Sequence, residues 1–396
     1  MLYDFDTVVD RRHTFSFKYD ALQQICPTAN EDTIPLFVAD MDFTVAQPIL
    51  DALHKTVDTG IFGYTLDTAE PRYAEAVCHW WQKQYRCTFS PDDVVYVNGT
   101  VEAVNVAIRA FTQPGDGVIL QRPVYGHFNT AVEQDCNRRV VDNHFLCDAH
   151  GFYSIDYDDL EAKCAEPNNR AMIFCSPANP VGRVWTVDEI RRVAAITKKY
   201  NVLLIADEVH CDIVRKDVQH HPVLSVVDDK SNVIMLTAIN KSFNLAGLQC
   251  SNAIIPDAFL RARFETALGE RMPTPFAIAA LLAAYSEGRE WLEQMNAYVD
   301  LNIDVVLDYL GKNLPWVKAY RPEGTYCLWL DFSACGLPDE EIHRRIYEDA
   351  NVVLQDGTVH DPLHGQGFQR ICVPCSRSVL LAALARITAQ FQDIAL

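Results

Sequence analysis

Three polar side chains of different chemistry follow three apolar stretches of this sequence. The amine belongs to Lys241, the carboxylate to Asp207 and the amide to Asn179. A lysine amine can form a Schiff base with an aldehyde, and a carboxylate can keep a pyridine nitrogen protonated. An asparagine amide can bind the oxygen of the same ring. The combination therefore predicts a pyridoxal phosphate (PLP) site in which Lys241 is the catalytic residue.

Each of the three residues has a simpler interpretation when it is taken alone. Lys241 is then a surface lysine that follows a strand. Asp207 is a helix N-cap or a magnesium ligand, and Asn179, between two prolines, is a turn residue. The PLP interpretation is favoured because small, polar or aromatic residues flank Lys241, and a desolvated amine is the better nucleophile.

Further residues supply groups that a PLP site needs. Gly99, Thr100 and Val101 join an apolar run to a helical segment, where backbone N–H groups and a hydroxyl can bind phosphate. Tyr125 can stack on a planar ring or pack in the core. The guanidinium of Arg370 suits an α-carboxylate, although a surface ion pair is the commoner role of a single arginine. The sequence contains no GxGxxG or GxxxxGK motif for dinucleotides or nucleoside triphosphates.

The elements that must position these residues alternate between apolar runs and amphipathic segments. Runs typical of strands occur at 94–97, 118–120, 171–175, 202–206 and 233–236. A helix is predicted after the third run, since Thr186 and Glu189 form a capping box. This alternation predicts an α/β fold with a mostly parallel sheet flanked by helices, whose strand ends face the ligand.

The length of 396 residues predicts more than one domain. We predict an N-terminal segment, 1–48, that packs with the small domain, a large PLP-binding domain, 49–287, and a smaller C-terminal α/β domain, 288–396. Within the last, a long helix, a strand and a second helix are predicted at 291–310, 324–331 and 340–348.

The composition is that of an ordinary globular protein without a nucleic-acid or membrane partner. Lysine and arginine number 34, and aspartate and glutamate 53, so the net charge is −19. The N-terminus lacks the plan of a signal peptide, and the apolar stretch 276–285 is too short to span a bilayer. The 13 scattered cysteines predict reduced thiols in a cytoplasmic protein.

One group of residues has a spacing that suits zinc, namely His360, His364, Cys372 and Cys375. However, residues 370–373 have the pattern of a strand in which Cys372 belongs to the core. We therefore predict no metal.

The sequence resembles the fold-type I PLP enzymes of the class I/II aminotransferase superfamily over nearly its whole length. Within them it is most similar to the MalY/PatB-like carbon–sulfur lyases, which include cystathionine β-lyases. The segments that carry the resemblance are 37–43, 63–64, 175–185, 207–210, 241–244, 324–326 and 367–370. Typical aminotransferases carry a tyrosine where this chain has His210.

The resemblance implies a role for each candidate residue. It assigns the Schiff base to Lys241, the ring nitrogen to Asp207, the ring oxygen to Asn179 and His210, ring stacking to Tyr125, and the phosphate to Gly99, Thr100 and Val101. It assigns the substrate to Arg370, Asn179 and the segment around Asp40, next to the loop 355–365. Tyr64 would reach the phosphate of a neighbouring subunit, which implies a homodimer.

These residues predict α,β-elimination on a cysteine-type amino acid, which gives a thiol, pyruvate and ammonia. Cystathionine would give homocysteine, and cysteine would give sulfide. Lys241 would remove the Cα proton as a general base. The alternative is an aminotransferase, which shares each step up to the loss of that proton and then needs a keto acid. A regulatory binding module is disfavoured because Lys241, Asp207 and Arg370 are all present.

Five features depart from the family pattern. Ala238 stands where the family has a phosphate-binding serine, and Asn240 stands where serine is frequent. Gln249 replaces a phosphate-binding arginine, and Cys372 replaces an asparagine. The loop 355–365 lacks the usual Pro-Gly sequence. The departures concern the phosphate and the substrate side chain, and they leave the amine, the carboxylate and Arg370 in place.

Overall fold

A computed structural model describes residues 2–65 and 71–394 of the chain. Within these ranges the largest sheet has seven strands. In spatial order they are Val94–Val97, Ser251–Ile254, Val233–Ala238, Leu203–Asp207, Asn169–Cys175, Gly117–Arg122 and Arg139–His144. Each apolar run that the sequence indicated as a strand overlaps a strand of this sheet, so those predictions are confirmed.

The sheet is mostly parallel, as predicted. The exception is Ser251–Ile254, which pairs antiparallel with both neighbours, Val94–Val97 and Val233–Ala238. Two reversals restore the direction, so Val94–Val97 points the same way as the parallel strands of the sheet. The other six strands therefore place their carboxyl ends at one edge.

The central strands are mostly apolar because both faces of the sheet are covered. In the strand Leu203–Asp207, Leu203 and Ile205 belong to the core on one face, and Leu204 and Ala206 to the core on the other. Successive side chains of a strand point to opposite faces, so a strand buried on both sides has no polar alternation.

Helices occupy both faces of the large sheet and extend into the C-terminal part. Those of nine residues or more are Gln47–Asp58, Pro71–Tyr85, Thr100–Phe111, Tyr157–Ala165, Val187–Lys199, Ala258–Leu268, Pro275–Glu287, Arg289–Asn313 and Arg377–Ala389. Shorter ones are Phe17–Asp20, Leu22–Ile25, His127–Asn129, Val223–Val226, Ile239–Ser242 and Asp339–Arg344. The predicted capping box is present, since Thr186 and Glu189 each bind the backbone of the other. No helix within 2–65 and 71–394 is long and apolar enough to cross a membrane.

The C-terminal part of the described chain contains a second, four-stranded antiparallel sheet. In spatial order its strands are Lys318–Ala319, Cys327–Asp331, Phe368–Cys372 and Gln355–Asp356. Short strands pair Ile34–Pro35 with Val352–Val353, and Leu146–Cys147 with Tyr153–Ser154. The N-terminal segment is therefore tied to the C-terminal part. A large sheet flanked by helices with a smaller C-terminal α/β part is the predicted fold class.

Candidate active site

The carboxyl edge of the large sheet carries the predicted chemical groups. Asp207 is the last residue of Leu203–Asp207, and Lys241 lies in the short helix Ile239–Ser242 that follows the neighbouring strand. Asn179 follows the strand on the other side of Asp207. Because these strands are parallel, the segment after each one brings its polar side chain to the same edge.

These side chains line one cavity of about 180 Å³. Its lining residues are Ala39, Gly99, Thr100, Val101, Tyr125, Cys175, Asn179, Asp207, Val209, His210, Asn240, Lys241 and Ala246. Eight of the nine residues predicted to bind the cofactor are therefore brought together. The ninth, Tyr64, is fully exposed on the surface.

The amine of Lys241 is held by a backbone carbonyl. It donates a hydrogen bond to the oxygen of Ala39 at 2.6 Å, and the hydroxyl of Tyr326 donates to the same oxygen at 2.8 Å. Burial lowers the pKa of Lys241 from that of an exposed lysine, and the charge of Arg370 acts in the same direction. The neutral fraction of the amine is thus increased, and the neutral form is the nucleophile and the base.

The carboxyl group of Asp207 is buried at the same edge. Its Oδ1 accepts a hydrogen bond from the backbone N–H of Val209 at 3.2 Å. Burial raises the pKa of Asp207 to about 6, because the charged form loses its hydration. A protonated pyridine nitrogen would offset that cost, so the side chain fits the partner that the PLP ring requires.

The guanidinium of Arg370 is 1% exposed and has neutral partners. It donates to Oδ1 of Asn179 at 3.1 Å and to the carbonyl of Phe37 at 2.7 Å. Its Nε is buried and has no hydrogen-bond partner among the described residues. A buried cation with amide and carbonyl partners and a free donor suits the α-carboxylate of an amino acid.

His210 offers a further polar atom to the cavity. Burial and the charges of Lys241 and Arg370 lower the pKa of His210 well below its usual range, so the imidazole is neutral. Its Nδ1 is buried without a partner in the described part of the chain, and its ring packs edge-on against Tyr326, with centroids 5.5 Å apart. A ligand with its own polar atoms, such as PLP, would satisfy this nitrogen.

The start of the helix Thr100–Phe111 opens into the cavity. Gly99 is the N-cap with an extended backbone, and a Cβ built on it would meet no atom within 4 Å. The first N–H groups of a helix have no partner within the helix, so Thr100 and Val101 offer donors to an anion. Tyr125 lies edge-on to Phe128 at 5.6 Å and also lines the cavity. The N–H groups of Thr100 and Val101 are therefore suited to the phosphate of PLP, and Tyr125 is suited to its ring.

Asp40, which was predicted to contact the substrate, lies beside this cavity rather than in it. Its Oδ2 forms an ion pair with Arg11 at 2.7 Å, and its Oδ1 lies 3.7 Å from the amine of Lys18. Lys18 is itself buried and pairs with Asp42 at 2.8 Å. These charges fix the segment that presents the carbonyl of Ala39 to Lys241.

The departures from the family pattern have different surroundings. Ala238 ends its strand with a methyl group that donates no hydrogen bond. Asn240 lines the cavity, and its amide lies 3.3 Å from the hydroxyl of Ser251. Gln249 is exposed and has a left-handed backbone, with φ of 53°. Of Ala238, Asn240 and Gln249, Asn240 is therefore the one that brings a polar side chain to the cavity.

The residues considered for zinc are engaged elsewhere. His360 is buried, with Nδ1 3.0 Å from the carbonyl of Val124 and Nε2 3.1 Å from Oε1 of Gln355. Cys372 lies in a strand of the small sheet, 3.5 Å from the sulfur of Cys327. In residues 2–65 and 71–394 no group of three or more histidine, cysteine, aspartate or glutamate side chains could hold a metal ion.

Sequence reasoning missed two partners of the amine, the carbonyl of Ala39 and the hydroxyl of Tyr326. Both lie in segments that carry the family resemblance. A backbone carbonyl has no signature in residue type, and Tyr326 stands in a strand-like segment where an aromatic side chain reads as core. The resemblance was the available signal, and it did not specify a contact.

This sheet and this cavity define a PLP-dependent enzyme of fold type I. Residues 31–387 match the family model for aminotransferases of class I and II, and the chain belongs to that family.

Relatives and solved structures cover almost the whole chain. Cystathionine beta-lyase PatB of Bacillus subtilis is 37% identical over 390 residues, which are 98% of this chain and 99% of the relative. The crystal structure of cystalysin from Treponema denticola, which contains pyridoxal 5′-phosphate, has a TM-score of 0.95 and 32% identity, and each chain is fully covered. The PLP-bound C-S lyase from Staphylococcus hominis has a TM-score of 0.91 and 30% identity, covering 99% of this chain and 100% of that one.

Proposed function

We propose that this protein is a PLP-dependent carbon–sulfur lyase. Its substrate is a cysteine-type amino acid, and its reaction is α,β-elimination to a thiol, pyruvate and ammonia. Two observations support this proposal. The cavity at the carboxyl edge of the large sheet contains the groups that PLP needs, and the chain is similar to a cystathionine beta-lyase and to a C-S lyase.

One observation favours sulfur as the leaving atom. Among the described residues that line the cavity, Asp207 is the sole carboxyl group, and it is suited to the ring nitrogen. The pKa of His210 is lowered, so the imidazole carries no proton to give as a strong acid. A thiolate, derived from a thiol of pKa about 8.5, leaves without prior protonation far more readily than an alkoxide or an amine. The cavity offers no strong acid beyond the carboxyl group assigned to the ring nitrogen, and this suits a C–S bond.

Each residue of the site would have a distinct role in the reaction. Arg370 and Asn179 hold the α-carboxylate, which orients the Cα–H bond. The neutral amine of Lys241, placed by the carbonyl of Ala39, takes the Cα proton. Asp207 holds the proton on the ring nitrogen. PLP, bound by these groups, supplies an electron-withdrawing ring that stabilises the negative charge developing at Cα.

The test is product analysis without a keto acid. The purified enzyme, incubated with PLP and a panel of cysteine S-conjugates, is expected to release thiol and pyruvate in equal amounts. The alternative function, an aminotransferase, shares the loss of the Cα proton but returns the proton to the cofactor. Turnover that depends on an added keto acid and yields no free thiol would replace the lyase by the aminotransferase.

Replacing Arg370 with alanine is expected to raise KM for the amino acid roughly 100-fold, because a buried charge partner of the carboxylate is lost. The visible spectrum of the bound cofactor should change little, since Arg370 is proposed to bind substrate. Steady-state kinetics and absorbance titration with PLP separate the two effects.

The matched control is Arg191→Ala, because Arg191 is exposed on the helix Val187–Lys199. It should leave KM unchanged. An equal loss of cofactor and substrate binding in Arg370→Ala would assign Arg370 a structural role instead.

We further propose a homodimer in which Tyr64 reaches the cofactor phosphate of the neighbouring subunit. Tyr64 is fully exposed, and Ile61 and Phe62 beside it are 77% and 56% exposed. Exposed apolar side chains that adjoin one another mark an interaction surface. A monomer in analytical ultracentrifugation that retains full PLP occupancy would contradict this arrangement.

We propose a cytoplasmic location. All 13 cysteines are free thiols, and ten of them are buried or form part of the core. Reduced thiols in this number suit a reducing compartment. Fractionation of cells that express the protein, with activity recovered outside the cytosolic fraction, would count against it.

A further inference from the structure

Two cysteines face each other across the small sheet. Cys327 and Cys372 are directly opposite partners in the antiparallel pair Cys327–Asp331 and Phe368–Cys372. Their sulfur atoms are 3.5 Å apart, and both side chains are fully buried. The mechanism proposed above uses neither thiol.

The backbone at this position allows a bond between the sulfurs. The N–H of Cys372 points to the carbonyl of Leu36, and the N–H of Cys327 to the hydroxyl of Thr325, so neither is directed across the pair. Such a non-hydrogen-bonded pair brings the Cα atoms to about 4.5 Å. Disulfides need a Cα separation of about 4.4–6.8 Å. The two strands therefore need no large movement to accept the bond.

The two thiols differ in character. Burial by itself raises the pKa of Cys372, but the hydrogen bond from Cys327 and the charges of Arg370 and Lys18 lower it overall. The same hydrogen bond raises the pKa of Cys327 well above its usual range. Cys372 is thus the more readily ionised of the two thiols. A thiolate with an adjacent thiol is the arrangement of a cysteine that is oxidised and then resolved.

Cys327 and Cys372 lie close to Arg370, which is proposed to bind the substrate carboxylate. The carbonyl of Phe37 accepts a hydrogen bond from Arg370 at 2.7 Å and lies 3.8 Å from the sulfur of Cys372. Arg370 in turn donates to Asn179, which lines the cavity. The sulfur of Cys372 is therefore linked to a cavity residue through the carbonyl of Phe37 and the side chain of Arg370.

We propose that Cys327 and Cys372 form a reversible disulfide in response to hydrogen peroxide. The thiolate of Cys372 attacks one peroxide oxygen, the O–O bond breaks, and Cys372 becomes a sulfenic acid as hydroxide leaves. Cys327 then attacks this sulfur, its proton goes to the departing hydroxyl group, and water leaves. The two thiols together give two electrons to the peroxide, and the hydroxide takes up the proton that Cys372 lost on ionisation, so one peroxide is reduced to two waters.

The bond has a consequence for Arg370 that rests on the proposed function. Oxidation removes the S–H of Cys372, which in the reduced protein is directed to the carbonyl of Phe37, the oxygen that also accepts from Arg370. We expect KM for the amino acid to differ severalfold between the oxidised and the reduced enzyme, because the two side chains share this carbonyl.

Peptide mapping tests the bond without any substrate. The reduced holoenzyme is treated with hydrogen peroxide in stoichiometric steps, unfolded, alkylated and digested. A peptide joining Cys327 to Cys372 is expected, with a loss of two hydrogens in intact mass and recovery with dithiothreitol. Cys147→Ser is the matched control, because Cys147 is an exposed thiol and its removal should leave the mapping and the activity unchanged.

Two single variants define the order of events. In Cys327→Ser, dimedone should trap a sulfenic acid on Cys372, whereas in Cys372→Ser the remaining Cys327 should stay unreacted. Free Cys327 and Cys372 in the wild-type protein, at peroxide levels that fully oxidise Cys147, would overturn the proposal. A bond that forms while KM stays constant would overturn its link to Arg370. Failure of the lyase assay in the reduced enzyme would count against the proposed function alone.

Discussion

Replacing Lys241 with alanine is expected to lower kcat for thiol release at least about 1,000-fold, because the group that takes the Cα proton is removed. The loss should exceed that of any other single substitution at the site. The amine is the base whose pKa is lowered by burial, and the carbonyl of Ala39 holds it 2.6 Å away. The alanine variant keeps neither the base nor the covalent anchor for PLP.

Two measurements follow the two losses separately. The rate of pyruvate release measures the loss of the general base. Mass spectrometry after borohydride reduction shows whether a pyridoxyl group is covalently attached to the protein. Lys312→Ala is the control, because Lys312 is exposed near the end of the helix Arg289–Asn313. It should behave as wild type in both assays. Turnover retained by Lys241→Ala would remove Lys241 from the mechanism.

Replacing Asp207 with asparagine is expected to lower kcat about 100- to 1,000-fold, the effect of losing one oriented electrostatic partner of the reacting group. Asparagine has nearly the same shape, but it carries no charge to hold a proton on the ring nitrogen. PLP should still bind, since the helix start at Gly99 and the amine of Lys241 are unchanged.

The same substitution should have the opposite effect on stability. Burial raises the pKa of Asp207 to about 6, above its value in the unfolded chain. Its contribution to stability is therefore present below the unfolded pKa and is lost as the pH rises through 6. In the PLP-free protein at pH 8, Asp207→Asn should raise the free energy of unfolding by about 3 kcal/mol.

Urea denaturation of the PLP-free protein at pH 8 and at pH 4 measures this gain, which should be small at the lower pH. The control is Asp217→Asn, because Asp217 is exposed. A variant that keeps wild-type kcat would falsify the assignment of Asp207 to the ring nitrogen. A variant that is less stable than wild type at pH 8 would contradict the raised pKa of Asp207.

Strand ends explain why so much of this site could be predicted. The apolar runs before Asn179, Asp207 and Lys241 each correspond to a buried parallel strand, and parallel strands present their carboxyl ends together. Spacing along the sequence was then enough to bring the three side chains to one edge. The roles assigned to them stay predictions, as does the division into domains at residues 48 and 287.

Other features depend on long-range contacts that no local pattern reveals. The reversed strand Ser251–Ile254 begins with two polar residues and has no apolar run, so it reads as a loop. The ion pair between Asp40 and Arg11 depends on where the N-terminal segment comes to lie, and the contact of Asp40 with the substrate stays a prediction. The pairing of Cys327 with Cys372 likewise depends on strand register, which residue type does not specify.

The carbonyls of Phe37 and Ala39 connect parts of the chain that the ribosome makes at very different times. Phe37 and Arg370 are 333 positions apart, and Ala39 and Tyr326 are 287 apart. At the usual rate of synthesis, Arg370 is added to the chain roughly 20 to 60 seconds after Phe37. Throughout that interval the strand Ile34–Pro35 also lacks its partner Val352–Val353. The N-terminal segment therefore docks late, and its docking completes the active site after the rest of the chain has been made.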